Sequence, residues 1–226
     1  LYLIPFIFGS LSVLSFEPFN LMAINFLILP SLFYLLVYIN KKSRSVYRKK
    51  PYRKYLFIFG LSFGFGFYLT GVSWITNSLT FDDNFKVLIP FAFILIPLFL
   101  SLFVGLITLI VGPYLRLNFS SLCIFSASIA SSDYLRSYIL TGFPWNLWAY
   151  STGSFSEILQ IVNIIGLYSY NLLVITIYTL PVIIFFKISK IKKLFSILFT
   201  LSLILILFLY GNYEINKNKI FLQKIE

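Results

Sequence analysis

The stretch with the most chemical content runs Asp133-Tyr-Leu-Arg136 and then Thr141-Gly142-Phe143-Pro144-Trp145-Asn146-Leu147-Trp148-Ala149-Tyr150-Ser151. Asp133 and Arg136 are three apart, a spacing that makes them neighbours on one helix face. Charges set in an apolar run are costly unless paired. Two readings stand side by side. The pair is a structural clamp that pins the helix end, or Arg136 reaches a phosphate or carboxylate at headgroup level, which its forked donors suit. Gly-Phe-Pro-Trp cannot continue a helix, because Pro lacks the N–H and clashes with the preceding turn. It predicts a turn crowded with aromatics. One or two interfacial aromatics are ordinary anchors; this density predicts a surface built for an acyl chain or a docked domain.

Other chemistry is excluded by what is missing. The sequence has no His and a single Cys, Cys123. That removes most metal sites, any His-based triad and any disulfide within the chain. Cys123 lies among Ser120, Ser121, Ser126, Ala127, Ser128, Ala130, Ser131 and Ser132, a run made for close packing inside a bundle. With no His and no Lys inside an apolar run, nothing is in place to activate it as a nucleophile or serve as its base. No residue of this chain is expected to be catalytic, and no metal or cofactor is expected. A second small-residue set is Gly60, Gly64 and Gly71. At 100° per residue these share one helix face. Gly60-Leu-Ser-Phe-Gly64 has the small-xxx-small spacing of a close helix–helix contact; a groove that admits a lipid tail is the functional alternative. Trp74 follows at the end of the same run, as an interfacial anchor or as part of the aromatic surface.

These residues need apolar elements to hold them. Of 226 residues, 59% are hydrophobic and 11% charged, and the mean hydropathy is +0.92; soluble chains run near about 25% charged. Apolar runs cover 1–16, 21–39, 55–76, 87–111, 119–140, 158–186 and 194–210. Each span needs about 20 apolar residues, so the sequence predicts an all-α, polytopic transmembrane helix bundle of about seven spans. A transmembrane domain over 1–210 is expected to lead into an outer-face linker over 211–226. The start at Leu1, inside an apolar run, suggests that residues precede it.

The net charge of +11 raises nucleic acid as a partner, but the positions of the charges argue against it. Lys41, Lys42, Arg44, Arg48, Lys49, Lys50, Arg53 and Lys54 follow the second run; Arg116 follows the fourth; Lys187, Lys190, Lys192 and Lys193 follow the sixth. Alternating spans put these three loops on one side, which the positive-inside rule makes cytoplasmic. The other side receives Glu17, Asp82, Asp83, Glu157, Glu214 and Glu226, with Asp133 approaching it. The charge is a topology signal, and the partner it indicates is membrane lipid, with no nucleic acid.

Three motifs carry a family resemblance: Phe16-Glu17-Pro18-Phe19; Gly60-Leu-Ser-Phe-Gly64-Phe-Gly66 with Gly71-Val-Ser-Trp74-Ile75 and Ser78; and the 133–151 stretch, followed by Gln160, Gly166 and Tyr168. In order and spacing the chain resembles the N-terminal membrane domain of bacterial apolipoprotein N-acyltransferases. It departs in having Asp133 for Glu, Ala149 for Gly and Asn171 for Ser, and in lacking a Trp within 127–132. The resemblance implies an acyltransferase of the bacterial inner membrane, with its C-terminal tail on the periplasmic side. A phospholipid would be the acyl donor and a diacylglyceryl-modified lipoprotein the acceptor. It also implies a nitrilase-like domain with a Glu–Lys–Cys triad, for which these 226 residues have no room, so the chain alone is expected to be inactive. The substrate-facing residues expected are Trp74, Phe143, Trp145, Trp148 and Tyr150, with Arg136 as a headgroup contact. A seven-span transporter would instead show several ionisable residues along its spans. A non-catalytic lipid-handling protein is the remaining alternative.

Overall fold

The computed structural model describes residues 2–43, 52–139 and 142–223; Leu1, Arg44, Arg48, Lys49, Lys50, Thr141 and Glu226 of the sequence reading lie outside them. The described residues are helical and contain no strand. The helices are α1 (Leu3–Ser12), α2 (Asn25–Ser43), α3 (Tyr52–Gly71), α4 (Ile89–Val111), α5 (Phe119–Tyr138), the short α6 (Ser156–Leu159) and α7 (Val162–Ile165), α8 (Leu167–Thr179) and α9 (Lys190–Gln223).

Local signals set their ends. Asn118 caps α5, its Oδ1 accepting from the Ser121 N–H at 2.8 Å, which satisfies one of the orphan donors of the first turn. Pro90 opens α4 in its first turn, where its missing N–H costs nothing. The run expected over 158–186 is broken instead. Gly166, at φ 77, separates α7 from α8, a conformation open mainly to glycine. Residues 211–223, expected as a linker, continue α9 as helix.

Among the described residues four helical stretches are long and apolar enough to cross a membrane: Met22–Lys42, Asp83–Tyr114, Leu167–Phe185 and Lys190–Lys219. A fifth exists if Arg53–Gly71 and Ser73–Thr80, bent by 45°, form one span. The sequence count of seven is not reached on these terms, for two physical reasons. α1 is short, and the serines, Asp133 and Arg136 of α5 dilute its hydropathy. Large apolar side chains nevertheless cover the outside, with Phe91, Leu95 and Ile110 of α4 and Ile191, Phe195 and Phe199 of α9 all more than half exposed. No water-soluble surface carries so continuous an apolar face; hydrocarbon is the solvent it fits.

α3 packs chiefly against α4 and α1, and its glycines explain the closeness. A Cβ on Gly60 would collide with the Thr108 hydroxyl, and one on Gly64 would stand 3.0 Å from Ser101 Cα. Gly60 and Gly64 therefore serve the helix–helix contact with α4, and no lipid groove opens there. Gly66 meets the Phe6 carbonyl of α1 in the same way. The core centres on Leu29, Leu32, Phe33, Leu36, Phe59, Phe67 and Tyr178, all at most 3% exposed.

The ends of the bundle differ in charge. Lys41, Arg116 and Lys187 line one groove at one end, so the three basic loops do share a side. Glu17 lies beside Trp145 and Tyr150, and Trp74 beside Trp145, at the other.

Candidate functional site

The site is built on the last turn of α5. Asp133 and Arg136 are both buried, at 4% and 1% exposure, and Arg136 Nη2 donates to Asp133 Oδ1 at 3.2 Å. Arg136 Nη1 reaches past the end of the helix and donates to the carbonyls of Phe143 and, at 2.8 Å, Trp145. Its guanidinium also lies over the Tyr68 ring of α3, 5.2 Å from the centroid. The second oxygen of Asp133 accepts from Asn171 Nδ2 of α8 at 2.9 Å, and Asn171 Oδ1 accepts from the Ala149 N–H at 2.9 Å. Three helices and the aromatic turn are thus joined through one buried ion pair. Most of the Arg136 fork is spent on the protein itself, so its role here is to hold the turn.

The turn over 142–147 has two residues at positive φ, Gly142 at 77 and Asn146 at 56. Gly142 is required sterically as well, since a Cβ there would meet the Ser137 carbonyl. The Asn146 amide sits on Gly71, in space that any larger residue would fill. This gives Gly71 in the Gly-x-x-Trp motif a physical role: the amide docks on the bare backbone, and Trp145 is brought edge-to-face against Trp74, with centroids 5.3 Å apart at 72°.

The result is an open groove of about 460 Å³ lined by Phe16, Glu17, Pro144, Trp145, Asn146 and Tyr150. Trp74, Trp145 and Tyr150 are exposed and Phe143 is half-buried. Partial burial pushes the Tyr150 phenol above its ordinary pKa and Tyr168 adds to this, while Arg136 opposes. Of the six residues expected to face substrate, two are placed elsewhere. Arg136 is enclosed, and Trp148 is 2% exposed and stacked on Phe67 at 5.1 Å. The cause is the Asn146 turn, which sends the short 3₁₀ helix Trp148–Thr152 back into the bundle. There Ser151 bonds Tyr178 at 2.8 Å and Thr152 bonds Tyr170 at 2.7 Å.

Asn171, Tyr68 and Asn146 are positioning residues that sequence reasoning did not select. Asn171 had a signal, as a polar residue inside an apolar run; Tyr68 had none. Among the described residues no three Asp, Glu or Cys side chains gather in a way that could hold a metal ion.

The description "Apolipoprotein N-acyltransferase N-terminal domain" matches residues 8–180. The chain belongs to that family. It is 30% identical over 176 residues to an apolipoprotein N-acyltransferase of Rhodopseudomonas palustris, covering 77% of this chain and 32% of the relative. A Bradyrhizobium diazoefficiens relative of the same name is 31% identical over 174 residues, covering 76% and 31%. One from Brucella melitensis is 29% identical over 184 residues, covering 79% and 34%. The chain therefore spans about a third of the length of the curated relatives it matches. The matched region holds the α5 ion pair, the aromatic turn and the groove.

Proposed function

We propose that this chain is the membrane domain of an apolipoprotein N-acyltransferase, and that the groove at the acidic end holds an acyl chain of phospholipid or lipoprotein. The observation that carries this reading is the groove itself. It is an open, largely aromatic groove at one end of a lipid-facing bundle, braced by the Asp133–Arg136–Asn171 network. Phe16, Pro144, Trp145 and Tyr150 supply its apolar contact; Trp74 backs Trp145 edge-to-face, Phe143 lies where Arg136 holds the turn, and Trp148 supports it from within.

The reaction proposed has two steps, with its nucleophile outside these 226 residues. A Cys thiolate of the nitrilase-like domain attacks an ester carbonyl of the phospholipid; the glyceryl ester bond breaks and a lysophospholipid leaves. The free α-amine of the diacylglyceryl-cysteine then attacks the thioester, an amide forms, and the thiol is released. The chain's own part is to present both lipids at the right depth and to shield the apolar tails from water.

All seven apolar helical segments are read here as spans, α1, α3 with its bend and α5 included. The basic end then lies in the cytoplasm and the groove on the outer face. The transporter reading finds less support, since the charged residues buried among the described helices are only Asp133 and Arg136, and they are paired with each other near one end of α5. The test is genetic. The complete reading frame containing this sequence is expressed in bacteria depleted of their own N-acyltransferase, and lipoprotein N-termini are read by mass spectrometry. Restored N-acylation is expected; lipoproteins left diacylated would refute the assignment.

A further inference from the structure

We propose that the basic end of the bundle carries a binding site for an anionic phospholipid headgroup, gripped by Lys41, Arg116 and Lys187. It lies at the opposite end from the acyl groove and does not depend on the acyl-transfer reading.

The site is assembled by contacts that bring three parts of the chain together. Asn40, next to Lys41 at the end of α2, donates through Nδ2 to the carbonyls of Pro113 at 2.8 Å and Leu115 at 3.3 Å. This fixes the α4–α5 corner, and with it Arg116, against α2. The backbone N–H of Arg116 is itself held by Ser121 Oγ at 2.9 Å. On the other side the Phe185 ring packs on Tyr34 of α2 at 4.8 Å, which brings the segment leading to Lys187 to the same place. Three cations, Lys41 from the last turn of α2 and Arg116 and Lys187 from two separate loops, thereby line one groove of about 370 Å³.

Charge and shape then select the occupant. No carboxylate lines this groove or the adjoining one of about 410 Å³, and the sequence places its acids at Glu17, Asp82, Asp83, Asp133, Glu157, Glu214 and Glu226, away from these loops. Among the described residues the cationic cluster has no carboxylate within ion-pair distance. Its walls are apolar, formed by Val37, Leu117 and Phe185, and they pass sideways onto the lipid-facing surface, where Phe185 is 55% exposed and Ile184 is 64% exposed. A soluble anion would use the cations and leave the walls in contact with water. A phospholipid uses both, with its phosphate among the cations and its first acyl carbons against the walls.

The test uses the full chain in a neutral detergent, with bound lipid counted by native mass spectrometry. It is titrated with dioleoylphosphatidylglycerol and, in parallel, dioleoylphosphatidylcholine. The protein is expected to prefer the anionic lipid, and each of Lys41→Gln, Arg116→Gln and Lys187→Gln to weaken that preference about fivefold. The triple variant should bind the two lipids nearly equally. Lys86→Gln and Lys217→Gln, which remove cations elsewhere, should leave the preference unchanged. All the substituted residues are exposed, and an unchanged thermal midpoint confirms that each variant folds. A triple variant that keeps the full preference would overturn the proposal. So would displacement of the lipid by millimolar inorganic phosphate, which would assign the cluster to a soluble anion.

Discussion

Deleting the Asp133 carboxylate asks directly whether the buried pair holds the aromatic turn. In Asp133→Ala, Arg136 stays buried without its anionic partner, and the Asn171 amide loses its acceptor. A buried charge stripped of its partner costs about 3–5 kcal/mol. An orphaned buried donor costs about 1–3 kcal/mol; because one relaxation serves both, about 3–5 kcal/mol is expected in total. Arg136→Met should cost a similar amount, since it leaves Asp133 unpaired and releases the carbonyls of Phe143 and Trp145. The double variant loses the pair as a unit and should cost little more than either single change. With single costs of about 3–5 kcal/mol each, that corresponds to a coupling of about 2–4 kcal/mol. An ordinary hydrogen bond between membrane helices averages only about 0.6 kcal/mol, so the two accounts are well separated. The assay is reversible unfolding in mixed micelles against dodecyl sulfate. Tryptophan emission is followed in a protein whose Trp74 and Trp148 are replaced by Phe, leaving Trp145 as reporter. A coupling below about 1 kcal/mol, or unchanged Trp145 emission in Arg136→Met, would refute the clamp.

Other expectations follow from the packing. Gly66→Leu should destabilise by at least about 1–3 kcal/mol, because the added side chain drives into the α1 backbone at Phe6. Gly166→Ala has open space but the wrong φ, so a smaller loss of about 1 kcal/mol or more is expected from backbone strain alone; both are read by the same unfolding assay. Trp148→Ala should cost about 3–5 kcal/mol of stability as a core deletion. Trp145→Ala, being exposed, should leave the unfolding midpoint nearly unchanged while lowering acyl transfer by the complete enzyme. For orientation, single cysteines placed at Glu17 or Asp82 in a Cys123→Ser background should react with an impermeant maleimide from the periplasmic side. Cysteines at Arg116 or Lys187 should not; the reverse pattern would invert the topology.

How much of this could be read from sequence follows the range of each interaction. The α4 run, expected over 87–111, forms Ile89–Val111, and the α5 run, expected over 119–140, forms Phe119–Tyr138, because continuous apolarity bounded by Pro, Asn or Gly is a local property. The Asp133–Arg136 contact is local too, one turn of helix long. The Gly60/Gly64 contact was legible from spacing, though its partners Thr108 and Ser101 were not. Trp148 misled because an aromatic after a Pro-Trp turn looks interfacial; only the positive φ of Asn146 and the stacking on Phe67 show that the chain folds inward. Asn171 joins Asp133 across 38 residues, and no local pattern announces such a pairing. Gly166 breaks a run that hydropathy reads as continuous, because hydropathy carries no information on φ.

The central claim, that the groove at the acidic end receives a lipid acyl chain, can be tested by placing a benzophenone amino acid at Tyr150 in the complete enzyme within native membranes. Irradiation is expected to give an adduct carrying the mass of a phospholipid or of a diacylglyceryl peptide. The same probe at Phe91, on the outer face of α4, should yield far less of the lipoprotein adduct. Equal lipoprotein labelling at both positions, or none at Tyr150, would contradict it.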